Sequence, residues 1–281
     1  MLVLTAAEIN TWIAGLIWPL TRILGLITAS PVFGNARIPQ TVQLSLGVMI
    51  AIGIAPLVPA VPAADPASWA GLLILAKELI TGVAMGLAMR IVFAAVEMAG
   101  EISSLTMGLG FASFFDPMSQ GRSSGIAQFL TWIATMSLLV ANVHLLLLEA
   151  LAESFFTLPI ASTTFHGGGF WDLATWGAKI FSAGLQLSLP LVAALLITNV
   201  ALGILTRAAP QLNLFGIGFP ITLGAGFLVL MISLPYLATP LMNLLGQGTE
   251  KARHLPRAFA GKGDSPASPQ AQRAPGSAPG Q

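Results

Sequence analysis

The chain has 281 residues, 55% of them hydrophobic and 8% charged, and a mean hydropathy of +0.83. Soluble domains carry roughly 25% charged residues, so the composition excludes a soluble globular protein and points to an integral membrane protein with little soluble mass. Cysteine is absent, which excludes disulfides, thiolate chemistry and Cys-ligated metals. The net charge of +1 hides a split: residues 250–281 hold five of the twelve Lys and Arg, and the rest carries seven basic and nine acidic groups.

The first charged side chain is Glu8, so a cleaved signal with a basic start is not expected, and the first apolar stretch continues into a full span. That run, Trp12 to about Ser30, is interrupted by Pro19 and Arg22. It is long enough for a hydrocarbon core, which needs about 20 residues. A turn-rich connector over 31–39 leads to a second span, Thr41 to Val58, closed by prolines at 56, 59 and 62. The third segment, Trp69 to about Gly100, carries Lys77, Glu78, Arg90 and Glu97, with Glu101 just beyond. Charges inside a membrane helix are costly and face protein or water. Arg90, Glu97 and Glu101 fall on one helical stripe, and Gly82 and Gly86 on that stripe form a G-x-x-x-G spacing that permits close helix packing. The preferred reading is a set of buried charges that fixes assembly. An ion or proton pathway is the alternative, but the acids lack the second matched set that a relay needs.

Glu101 to Gly125 holds four glycines, three phenylalanines and Asp116-Pro117. Connectors between membrane helices are usually short and polar; this one is long and apolar. Glycine lets the backbone approach other chains closely, and Asp-Pro fixes an extended or turn conformation. Irregular backbone at membrane depth is tolerated where protein encloses it. The stretch reads either as a pore plug built on Gly108, Gly110, Phe111, Phe114, Phe115, Asp116 and Pro117, or as a re-entrant loop that only packs. Five of the ten methionines fall between residues 85 and 118. These flexible side chains either fill a core or make a deformable seal.

A fourth span runs from Ile126 to Leu151, with Glu149 and Glu153 expected at the water interface. A glycine-centred connector leads to a fifth segment, about Trp171 to Leu205, with a kink expected at Pro190. The polar turn Arg207-Ala-Ala-Pro210-Gln211-Leu-Asn213 then leads to the sixth, Leu214 to Leu245. The expected fold is all-α: about six hydrophobic helical segments arranged as hairpins over residues 1–246, with the plug loop at about 101–125. Residues 247–281, rich in Pro, Ser, Gly, Ala and basic residues, read as a disordered tail. The cations of that tail place it on the cytoplasmic side, yet Arg37, Arg122 and Arg207 then fall on the opposite side, so the charge rule conflicts with itself. His144, His166 and His254 stand apart at no ligand spacing, and no catalytic or nucleotide-binding motif appears. No enzyme activity, cofactor, metal or nucleic acid partner is expected.

Several motifs carry a resemblance. The run Gly108-Leu-Gly110-Phe111-Ala-Ser113-Phe114-Phe115-Asp116-Pro117 with Gln128-Phe129-Leu130, the Arg207-x-x-Pro210-Gln211-x-Asn213 turn followed by Gly218-Phe219-Pro220, Pro31-x-Phe33-Gly34 and Leu158-Pro159-Ile160 together resemble the flagellar biosynthetic FliR family. The injectisome SctT type is the sister family, and the G-F-x-S-x-x-D-P run looks flagellar. The resemblance covers residues 1 to about 246. It implies a structural pore subunit of the type III protein-export gate in the bacterial inner membrane, at the flagellar basal body. It implies assembly with FliP and FliQ, and contact with FlhB, FlhA and the basal-body ring. Unfolded flagellar proteins would be the cargo. The central loop would be the plug, and Arg207, Pro210, Gln211 and Asn213 would form a cytoplasmic hairpin tip next to FlhB. Lys77, Glu78, Arg90, Glu97 and Glu101 would be charges buried on assembly. The competing reading is a small-solute transporter or channel, which should show paired inverted repeats; only a faint Pro-Gln echo, Pro39-Gln40 and Pro210-Gln211, is present.

Overall fold

The structure, a computed structural model, describes residues 6–35, 37–59, 62, 64–66, 68–111, 124–162, 165–208 and 218–261. Among them the chain is all-α, with no strand. The helices are α1 (Ala6–Ala29), α2 (Gln40–Ile54), α3 (Trp69–Thr106), α4 (Gly125–Val140), α5 (Val143–Thr157), α6 (Gly168–Gly177), α7 (Lys179–Ala208) and α8 (Phe219–Phe259). Short 3-10 turns follow α2 and α3.

Helix α3 is the axis of the packing. Its 38 residues contain no proline and extend about 57 Å at 1.5 Å per residue. Ser68 caps it, its Oγ accepting the Gly71 N–H at 3.1 Å. Met85, Met89 and Val92 are fully buried against its neighbours. The contact with α1 is backbone to backbone: a Cβ on Gly86 would lie 2.8 Å from the Leu26 carbonyl oxygen, and one on Gly25 would lie 2.8 Å from that of Leu79. The G-x-x-x-G spacing thus brings a helix close, and that helix is α1. At other heights Gly100 faces Ala127 of α4, Ala95 and Met98 face Gly184 of α7, and Val92 faces Gly248 of α8.

Four stretches are long and apolar enough to cross a membrane: Gln40–Leu57, Trp69–Thr106, Gly168–Ala208 and Phe219–Phe259. The fourth sequence segment is a bent pair, α4 and α5 meeting at 66°. The break sits at Asn142, with φ of 55°, a left-handed conformation that asparagine tolerates better than most residues. In the fifth segment the chain passes from α6 to α7 at Ala178, and Pro190 lies inside α7. Large apolar side chains stand open on α2, α7 and α8, with Met49 70%, Ile197 73% and Met231 76% exposed. Helices apolar on every face are covered by lipid or by protein.

The expected start of the tail at 247 is corrected. Helix α8 continues to Phe259, and Ala252, Leu255 and Phe259 are fully buried. The Phe259 ring stacks on Phe165 at 4.7 Å between centroids and meets Phe170 edge-on at 5.2 Å. The polar, basic composition concealed apolar residues at helical spacing. Residues 262–281 lie outside the described residues.

Candidate functional site

A fully buried charge cluster joins α1, α3 and the connector after α5. Arg22 Nε donates to Glu78 Oε2 at 2.6 Å, and its Nη2 donates to Glu78 Oε1 at 3.0 Å, a two-pronged pair with both side chains 0% exposed. Arg22 Nη1 donates to Ser154 Oγ at 3.0 Å, and Nη2 donates again to the Leu158 carbonyl at 2.8 Å. The Phe155 ring lies under the guanidinium, 4.3 Å from its centroid. Lys77 completes the cluster. Its ammonium donates to the carbonyls of Pro159, Ile160 and Ser162 at 3.2, 2.7 and 2.9 Å, and lies 3.7 Å from Glu78. An ammonium has three donors, and each has found a carbonyl. Two cations of the first half of the chain therefore bind the turn Leu158-Pro159-Ile160 through its backbone.

A second charge cluster fastens the end of α8. Arg253 reaches Glu153 at 3.1 Å and Glu149 at 3.4 Å, and Arg257 donates to Glu153 Oε1 at 2.6 Å. Lys251 and His254 meet Asp172 of α6 at 3.4 and 3.2 Å. Glu149 and Glu153, expected simply to face water, anchor this clamp.

The charges assigned to assembly separate by place. Lys77 and Glu78 are buried and partnered inside the chain. Arg90 and Glu97 are exposed on the outer face of α3. Glu101 Oε1 accepts the Ser124 N–H at 2.6 Å, and Ser124 in turn caps α4 through the Ala127 N–H at 3.2 Å. Glu101 thus pins the point where the chain returns from the central stretch. Gly108 has φ of 85°, reserved for glycine at low cost, and Gly110 and Phe111 lie in the turn that follows α3. Phe114, Phe115, Asp116 and Pro117 of the plug, and Pro210, Gln211 and Asn213 of the tip, lie outside the described residues; Arg207 lies in the last turn of α7 and is exposed. Beside the stem of the central stretch, an apolar groove of about 490 Å³ is lined by Leu109, Ile126, Phe129, Phe227, Leu230 and Met231.

Arg22 is the site residue that sequence reasoning missed. Its signal was present, since an arginine inside an apolar run requires a buried partner. Which acid would meet it depended on α1 packing against α3.

Residues 13–248 match the family of bacterial export proteins, family 1. The chain is 41% identical over 235 residues to the flagellar biosynthetic protein FliR of Pectobacterium carotovorum subsp. carotovorum, covering 84% of this chain and 90% of that protein. It is 40% identical over 240 residues to FliR of Escherichia coli K12, covering 85% and 91%. It is 29% identical over 238 residues to FliR of Bacillus subtilis 168, covering 83% and 91%. The family match takes in most of the helical unit described above, and the chain belongs to the bacterial export protein family to which the flagellar FliR proteins belong.

Proposed function

We propose that the chain is a structural subunit of the flagellar protein-export pore, assembled with FliP-like and FliQ-like subunits in the inner membrane. Family membership already makes it a membrane-embedded component of the flagellar export apparatus. The observation that carries the finer reading is the large uncovered apolar surface of α7 and α8, with side chains such as Ile197 and Met231 about three-quarters exposed. In a membrane such surface is covered by lipid or by protein, and in this reading partner subunits cover part of it. In this reading the chain performs no catalytic step. FlhB meets the hairpin tip at Arg207, Pro210, Gln211 and Asn213. FlhA and the basal-body ring surround the assembly, and unfolded flagellar proteins pass through it.

The central stretch is the plug of that pore. Apolar rings close a pore to ions by steric blocking and dewetting, and a closure that must yield to a polypeptide has to be shallowly packed. Deleting residues 110–115 in the full-length chain, expressed with its partner subunits, should leave the complex assembled and raise small-ion conductance across the membrane. An assembled complex with a tight membrane removes the plug assignment. Failure of the wild-type chain to co-purify with any FliP-like or FliQ-like subunit removes the pore reading itself.

A further inference from the structure

Helix α3 is covered on most of its circumference and open along one line. Leu79, Arg90 and Glu97 are exposed, with Val83, Leu87 and Ala94 half-buried between them. The spacing is three to four residues throughout, so this is a single straight face. It lies between the side that takes α1 at Gly82 and Gly86 and the side that takes α7 at Ala95 and Met98. Arg90 stands at the middle of this face and makes no ion pair among the described residues.

Lipid suits this face poorly. Arg90 and Glu97 stand on it two turns apart, and charged side chains of membrane helices almost always face protein or water. Open water suits it poorly too, because the flanking positions are leucine and alanine. Charged side chains set among apolar ones on a membrane helix make a surface that another protein helix can cover. The planar guanidinium sets the chemistry of that helix, since it pairs best with a carboxylate held in its plane.

We propose that the open face of α3 is the seat of one helix from a neighbouring export subunit, which places an Asp or Glu carboxylate against Arg90 and apolar side chains on the turns either side. The proposal rests on the pore-assembly reading above and names its contact surface.

Two variants test it in the full-length chain expressed with the other export subunits. Arg90→Glu should lower the yield of co-purified complex at least tenfold. Motile revertants should carry a second change in a partner subunit that replaces an acidic residue by a neutral or basic one. Revertants that map only within this chain overturn the proposal, as does a complex formed at wild-type yield. Ala94→Cys changes one half-buried methyl group in a chain with no cysteine of its own, so any crosslink reports this position alone. A thiol-reactive benzophenone attached to the introduced cysteine, which inserts into C–H bonds on irradiation, should join it to one partner subunit in the intact complex. An intact complex in which that thiol crosslinks to nothing overturns the surface while leaving the pore reading in place. A wild-type chain that co-purifies with no other export subunit overturns the pore reading instead.

Discussion

Two ion pairs in this protein have the same length and opposite surroundings. Arg22–Glu78 and Arg257–Glu153 both close to 2.6 Å, but the first pair is 0% exposed on both sides and the second is 45% and 34% exposed. Distance therefore says little about worth. The exposed pair exchanges water for a partner and gains on the order of 0–1 kcal/mol. The buried pair stabilises little against a well-packed apolar alternative, yet removing one member strands a charge at a cost of about 3–5 kcal/mol. The inner cluster is a condition of folding, and the outer one is a fastening.

The largest effect should come from splitting the inner pair. Arg22→Ala or Glu78→Ala should each destabilise the chain by about 3–5 kcal/mol, read as a lower melting temperature of the detergent-solubilised protein. The double substitution Arg22→Leu with Glu78→Leu should be milder than either single one, because the one charge it leaves, on Lys77, keeps its three carbonyl acceptors. If the double variant melts no higher than the singles, side-chain volume rather than pairing governs the site. A somewhat smaller effect is expected at Gly82, whose added Cβ would strike the Arg22 carbonyl. Gly82→Leu should cost about 1–3 kcal/mol through forced separation of α1 from α3. Unchanged melting would show that the two helices can part without loss. The smallest effect should come from the clamp: Arg253→Ala and Arg257→Ala should each cost at most about 1 kcal/mol. Salt sharpens the contrast. At about 1 M the screening length falls to about 3 Å, so the deficit of the clamp variants should vanish while that of Glu78→Ala persists. A clamp deficit independent of salt would mean that its side chains act by packing.

Much of this arrangement was legible in the residues. The charges on the third segment, the glycine pair four apart and the break-rich central stretch all announced themselves by being out of place in an apolar chain. What could not be read was pairing. Arg22 and Glu78 are 56 residues apart, and only the glycine-mediated approach of α1 to α3 makes them neighbours. The bend at Asn142 was hidden because Val140-Ala-Asn-Val143 contains neither proline nor glycine, and a left-handed asparagine leaves no periodic trace. The end of α8 was misread because its buried residues are spaced among cations that composition alone assigns to a tail. The plug phenylalanines and the Pro-Gln tip rest on the resemblance and on the function proposed from it.

The carbonyl cage around Lys77 also imposes an order on synthesis. Arg22 and Glu78 can meet as soon as α3 has been made, since both lie in the first 78 residues. The ammonium of Lys77 must wait, because the oxygens that receive it belong to residues 82 to 85 positions further along the chain. Ribosomes add about 5–20 residues per second, so for several seconds the growing chain carries an ammonium whose carbonyl partners have not yet been made and whose adjacent acid is already engaged by Arg22. During that interval the membrane insertion machinery has to shelter Lys77 in water or protein. Release into lipid becomes favourable only once Pro159, Ile160 and Ser162 have emerged and folded back onto α3.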